Sequence, residues 1–184
     1  MIAILATATP TAADETFQAF KDFCVRTNGD PTASVSAAAK AGWTAVPEEA
    51  RRQLGAGADD PRTYQARIKR KPDGFIVLGV DRSTTTIRGG SYVSNHCQVT
   101  ATPGDYFAIL KLAGSWAAVP PDQGVDPAKE TMFIFANENG RHRALSKAEI
   151  NAATAPIVRS RRVTQFSVYN LSRGPSLRLD VPAQ

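Results

Sequence analysis

Cys24 in "FKDFCVRTNGD" and Cys97 in "SNHCQVT" are the two cysteines of the chain. Four chemistries are open to them: thiol nucleophile, metal ligand, disulfide, or small buried apolar group. A nucleophile needs a base within hydrogen-bond reach, and His96 adjoins Cys97. Consecutive strand side chains point to opposite faces, so His96 serves its own neighbour poorly and faces Cys24 only if Cys97 does not. His142, between Arg141 and Arg143 beside an Asn-Gly pair, reads as solvent-exposed. A zinc site of Cys24, Cys97, His96 and His142 is arithmetically possible, but no C-x2-C or H-x3-H spacing presorts those ligands. A two-cysteine chain with hints of export favours one disulfide, Cys24 to Cys97, tying the first helix to the third strand. Two separate buried thiols are the alternative structural reading. A thiol enzyme using Cys24 or Cys97 with His96 is the chemical one.

Elsewhere the motifs of familiar chemistry are missing. No phosphate loop, dinucleotide fingerprint or serine elbow is present. "GVDRSTTTIRGGS" is rich in glycine and hydroxyls, yet it lacks the lysine and the strand–loop–helix context of a phosphate loop, and reads as a polar strand and turn. Glu48 and Glu49 stand at a helix start, where the dipole accounts for them. Asp59 and Asp60 fall in a polar boundary segment. Trp43 and Trp116 read first as core aromatics. With His96 they are the candidate ligand-facing groups. No catalytic residue, metal or cofactor is assigned.

These residues must be positioned by elements that the pattern makes plain. Asp14 is a fair N-cap, and Phe17, Phe20, Phe23 and Cys24 fall on one face of a helix over residues 14–27, closed by Asn28-Gly29. Asp30-Pro31 opens an alanine-rich helix ending at Gly42, and "PEEARRQLGAG" a third. The helical part thus covers residues 14–55, with a flexible boundary to residue 62. From Arg62 the period changes from helical to two. "TYQARIKRK" and "FIVLGVDRS" form a hairpin around Pro72-Asp73-Gly74, continued by "SYVSNHCQVTAT" after Gly89-Gly90. Asp105 opens a segment with Phe107, Leu110 and Lys111 at helical spacing, read as helix. Asn139-Gly140 marks a further hairpin. Ser146 to Glu149 is a capping box whose helix ends before Pro156. "RRVTQFSVYNLS" reads as a late strand and "LRLDVPAQ" as a terminal edge. The fold class expected is α+β: N-terminal helices packed on one face of an antiparallel sheet, with one or two inserted helices, in a single domain over residues 14–184.

At 184 residues and 42% hydrophobic content the chain can bury a core without a metal. Its charge of +5 is uneven, −3 over residues 1–60 and +8 over residues 61–184. A basic half can attract nucleic acid or an anionic surface. Arg67, Lys69, Arg70, Lys71, Arg159, Arg161 and Arg162 would be that footprint. They alternate with apolar residues, as on the wet face of a half-buried strand, so nucleic acid is disfavoured. Residues 1–13 resemble the tail of a signal peptide, with a short apolar run and Ala6-Thr7-Ala8 in the small-x-small pattern; the alternative is the frayed, small-residue N-terminus of a cytoplasmic protein. No stretch approaches the ~18 apolar residues of a membrane span.

"FKDFCVRTNGD" followed by "AAAKAGW", with Cys97-Gln98-Val99 later, resembles small uncharacterised exported proteins of Gram-negative bacteria. These carry an F-x-x-F-C helix, T-x-G-D, an alanine-rich helix ending in Gly-Trp, and a C-x-V strand. The resemblance covers about residues 17–43 and implies a periplasmic or secreted location, without an activity. Taken together, the expectation is an exported, non-enzymatic domain that binds a small molecule, an envelope component or a protein partner.

Overall fold

Strict alternation in the long central hairpin sets the architecture, because a strand sends successive side chains to opposite faces. The computed structural model describes residues 11–55, 63–122 and 126–184. In β3 (Gly74–Ile87) and β4 (Gly90–Thr102), Ile76, Leu78, Val80, Cys97, Val99 and Ala101 are buried on one face. Phe75, Val77, Gly79, Asp81 and Ser83 alternate with them on the other. Ahead of the hairpin come β1 (Thr44–Ala45) and β2 (Gln65–Lys71); after it come β5 (Glu130–Glu138), β6 (Arg141–Ala144), β7 (Val163–Leu171) and β8 (Gly174–Pro182). Among the described residues these eight strands form one sheet, ordered β1-β2-β3-β4-β8-β7-β5-β6. Every pairing is antiparallel. The segment expected as a terminal edge is instead β8, central between β4 and β7. An edge strand pairs on one side only, whereas Leu177 faces Val99 of β4 and Val168 of β7, and Leu179 faces Cys97 and Phe166.

One face of the sheet carries α1 (Ala12–Phe20), a π-helical turn (Lys21–Val25), α2 (Pro31–Lys40) and α4 (Tyr106–Ala117). The α+β class is as expected, and Asp105 does cap a helix, accepting from the Ala108 amide at 3.0 Å. Three local readings change. The first helix is capped by Thr11, with Asp14 one turn on, accepting from the Thr11 amide at 3.0 Å and hydroxyl at 2.7 Å. Residues 11–13 of the expected leader over residues 1–13 therefore belong to this helix, Ala13 being buried in the core; residues 1–10 of that leader and residues 56–62 of the expected boundary lie outside the described residues. Pro156 does not only end a helix. After α5 (Lys147–Asn151) it stands in the first turn of α6 (Ala155–Arg161), a position its missing N–H makes harmless. And α3 (Glu48–Leu54) crosses to the second face of the sheet, carried there by the β1–β2 pairing.

"TNGD" is a helix-stop and helix-start in four residues. The Thr27 hydroxyl donates to the Phe23 carbonyl at 2.6 Å and meets the Ser34 hydroxyl at 2.7 Å. Gly29 has φ +64°, and an added Cβ would come 3.3 Å from that of Asn95. Asp30 caps α2 and also receives Arg82 of β3 at 2.8 Å. Through Asn95, Arg82 and Asp30 this corner is fastened to the sheet beside the cysteines.

Glu15 of α1 reaches Lys69 at 2.6 Å and Lys71 at 2.7 Å on β2. Hydrogen bonds from Lys69 and Lys71 hold its carboxyl below the ordinary value of 4.5, burial opposing them. A lowered folded value means stabilisation present above about pH 4.5 and lost as pH falls through that folded value. Half-exposed pairs of this kind contribute under about 1 kcal/mol. Glu15→Gln is therefore expected to lower stability slightly at pH 7 and not at pH 3, read by urea melts at both; an equal loss at both would reject the pairing.

Candidate ligand site on the second face of the sheet

The polar positions of the central strands do not simply face water. Their register places Gln98 opposite Arg178, His96 opposite Asp180 and Asp81 opposite His96. Beneath α3 the face is hollow, with a cavity of about 560 Å³. Its lining runs along β3 from Phe75 to Ser83, about 26 Å at ~3.3 Å per residue. Val46, Leu54, Ile68, Phe75 and Val77 make its apolar middle, and Arg70, Arg173 and Arg178 supply positive charge against Asp81. Arg70 and Arg173 mark the Phe75 end, since Arg70 pairs with Phe75, and the Thr102 hydroxyl, opposite Phe75, donates to the Arg173 carbonyl at 2.5 Å.

Tyr64 closes one wall. Its ring lies against Gly55 and its hydroxyl over Gly79, where an added Cβ would come 2.0 Å from the phenol oxygen. Glycine at both places is what lets the ring lie flat on the strand. Burial, with the Asp81 charge second, pushes the Tyr64 phenol up to about 12, so it is a neutral hydrogen-bond donor at working pH.

At the far end stands a polar cluster. The Ser83 hydroxyl lies 2.5 Å from His96 Nε2, and Ser94 Oγ 3.1 Å from the same nitrogen. His96 Nδ1 meets Asp180 Oδ1. Arg178 Nε donates to both Asp180 oxygens, at 2.8 and 3.1 Å, and its Nη2 is 3.0 Å from His96 Nδ1. Burial works against the Arg178 charge, but Asp180 outweighs it and holds the guanidinium above its ordinary value. A second hollow of about 420 Å³, walled by Ile150 and Val158 near α5 and α6, shares His96 and Arg178 with the first.

Of the residues singled out from the sequence, Cys24 and Cys97 do meet in a disulfide, Cα to Cα 5.4 Å, both sulfurs wholly buried. A thiol nucleophile would need one of these sulfurs free beside His96, which projects from the opposite face. Trp43 is buried against Phe23 at 5.0 Å. Trp116 sits among Phe20, Phe135 and Phe166 on the helix side. Neither lines the cavity; His96 does. His142 is not exposed as expected: its ring stacks on Phe135 at 4.1 Å and its Nδ1–H donates to the Ala117 carbonyl at 3.1 Å. The seven basic residues form no single footprint. Arg67, Lys69 and Lys71 share the helix side of β2, with Lys69 and Lys71 paired to Glu15, while Arg70 faces the cavity. Arg159, Arg161 and Arg162 lie at the end of α6, beyond three intervening strands, and Arg161 pairs with Glu149.

Ser83, Tyr64, Arg173, Arg178 and Asp180 carry no motif. The only hint is alternation in "VDRST", "HCQVT" and "SLRLD", which puts polar groups on one face of each strand without saying which strands adjoin. Comparison with protein-family models, with curated proteins and with solved structures finds no match to this chain.

Proposed function

We propose that this chain is an exported binding domain that takes an elongated small molecule, apolar in its body and anionic at one end, across the second face of its sheet. The observation that carries the reading is the cavity of about 560 Å³, whose apolar middle ends at Arg70 and Arg173. Among the described residues neither arginine is in an ion pair with a carboxylate, so each can receive a ligand's acid group. Sites for small ligands combine an apolar lining with a few placed polar groups, and that is the composition here. Export is supported by the buried disulfide, a bond that persists in oxidising compartments. It also agrees with the resemblance to exported bacterial proteins. No helix of the described residues is long and apolar enough to cross a membrane.

Decanoate is the probe. Calorimetric titration should show one site per chain, with decanol bound more weakly because it lacks the charge. Arg70→Ala and Arg173→Ala should each weaken decanoate by ~5-fold and leave decanol unchanged. Decanoate that fails to bind, or binds equally to the double variant, rejects the reading.

A further inference from the structure

Three hydroxyl, imidazole and carboxylate groups meet at one end of the cavity, drawn from adjacent strands β3, β4 and β8. Proton bookkeeping fixes their roles. Asp180, ionised and paired with Arg178, only accepts, and the Arg178 guanidinium only donates. The proton between His96 and Asp180 therefore sits on Nδ1, which makes the 3.0 Å approach of Arg178 Nη2 to that nitrogen a contact between two donors and not a hydrogen bond, and leaves the Nε2 lone pair facing outward. Two hydroxyls compete for that lone pair, and Ser83 at 2.5 Å is nearer than Ser94 at 3.1 Å. Ser94 is occupied otherwise, 2.8 Å from Thr85 Oγ1 and 3.3 Å from Ser83 Oγ. Nucleophile, base and orienting acid stand in hydrogen-bonded sequence, and both Ser83 and His96 line the cavity.

We propose that Ser83 is the nucleophile and His96 the general base of an esterase site for a carboxylic ester lying in this cavity. The proposal rests on the binding reading above: the substrate is a long acid whose free carboxylate sits at Arg70 and Arg173 and whose other end is an ester. Ser83 Oγ forms a bond to the ester carbonyl carbon as its proton passes to His96 Nε2. The carbon–oxygen bond to the alcohol breaks, and Nε2 gives that proton to the leaving oxygen. Water, losing a proton to the same Nε2, then attacks the acyl group on Ser83. The acid departs and the returning proton restores the Ser83 hydroxyl. Asp180 is a positioning residue that holds the imidazole tautomer throughout.

Backbone N–H groups of a strand lie in the plane of the sheet and do not point where Ser83 points. A missing backbone donor costs roughly 10²–10³-fold in rate, so turnover is expected to be slow.

A fluorophosphonate and the 4-nitrophenyl monoester of octadecanedioic acid, long enough to reach from the arginines to Ser83, test the assignment on the disulfide-bonded chain. Peptide mapping should find the phosphonate on Ser83, and His96→Gln should abolish that label. Ser83→Ala and His96→Gln should each lower nitrophenol release by at least 100-fold, and Ser83→Ala should still bind decanoate. The wild-type label needs no variant to fold, and decanoate binding by Ser83→Ala reports that its fold is intact. No label on Ser83, or release unchanged in Ser83→Ala, overturns the esterase while normal decanoate binding leaves the binding reading standing. Decanoate that fails to bind wild type, with no label, overturns both.

Discussion

Reducing the Cys24–Cys97 bond, or replacing both cysteines by alanine, is expected to lower the melting temperature by about 11 °C. The bond closes a loop with a sequence separation of 73. Chain-entropy arithmetic for that length gives ~4.4 kcal/mol at 25 °C, removed from the unfolded state rather than added to native contacts. A chain of 184 residues unfolds with an entropy near ~0.39 kcal/mol/K, which converts the loss to that shift. The place of the bond adds to the expectation. It pins the π-helical turn to a central strand within the corner already held by Arg82, Asp30 and Asn95. Scanning calorimetry with and without reductant reads the effect, and a shift below about 2 °C would mean that the corner holds without its bond. The alanine double variant separates this from reductant effects, since it lacks both sulfurs under all conditions.

Phe20→Ala should cost as much by a different route. Phe20 is completely buried where α1, α4 and β7 converge, with ring centroids 4.9 Å from Phe166, 5.7 Å from Trp116 and 6.0 Å from Phe17. Truncation removes the apolar surface and leaves a void that three fixed rings cannot close, a loss of about 3–5 kcal/mol. Domains of this kind are stable by only about 5–15 kcal/mol, so either change consumes a large fraction. Phe107→Ala is the control: Phe107 lies on α4 with 77% exposure, and a change within about 0.5 kcal/mol is expected. Urea melts of both variants test the contrast. A Phe20→Ala loss under about 1.5 kcal/mol would show that the aromatic cluster relaxes around the gap.

Much of the framework was legible because it depends on neighbours in the chain. Phe17, Phe20, Phe23 and Cys24 repeat at helical spacing, and all four are buried together. Asn139 and Gly140 adopt φ of +52° and +77° at the tip of their hairpin, the conformation their side chains allow best. Asp105 begins a helix because its carboxylate serves an otherwise unpaired amide. The misreadings have two sources, one local and one distant. Thr11 displaced Asp14 as the cap because both belong to one capping box, and the box fixes the start only when its partner is known. His142 looked exposed because its chain neighbours are charged, yet its ring faces Trp116 and Phe135 from distant segments.

The candidate site falls on the other side of that divide. Residue types and spacing by themselves determined the period of each strand, the helix caps, the turn glycines and a cysteine pair suited to a bridge. Each of these is decided by forces acting within about one turn or one hairpin. Only the tertiary structure decided that β8 inserts between β4 and β7, and that α3 arches over the second face. Those two events set Asp180 opposite His96, 84 residues apart in the chain, and turn the polar face of a sheet into a walled cavity. Which strands adjoin depends on burying Leu177, Leu179 and Val181 against the helices of the first face, a sum over the whole core that no single segment carries.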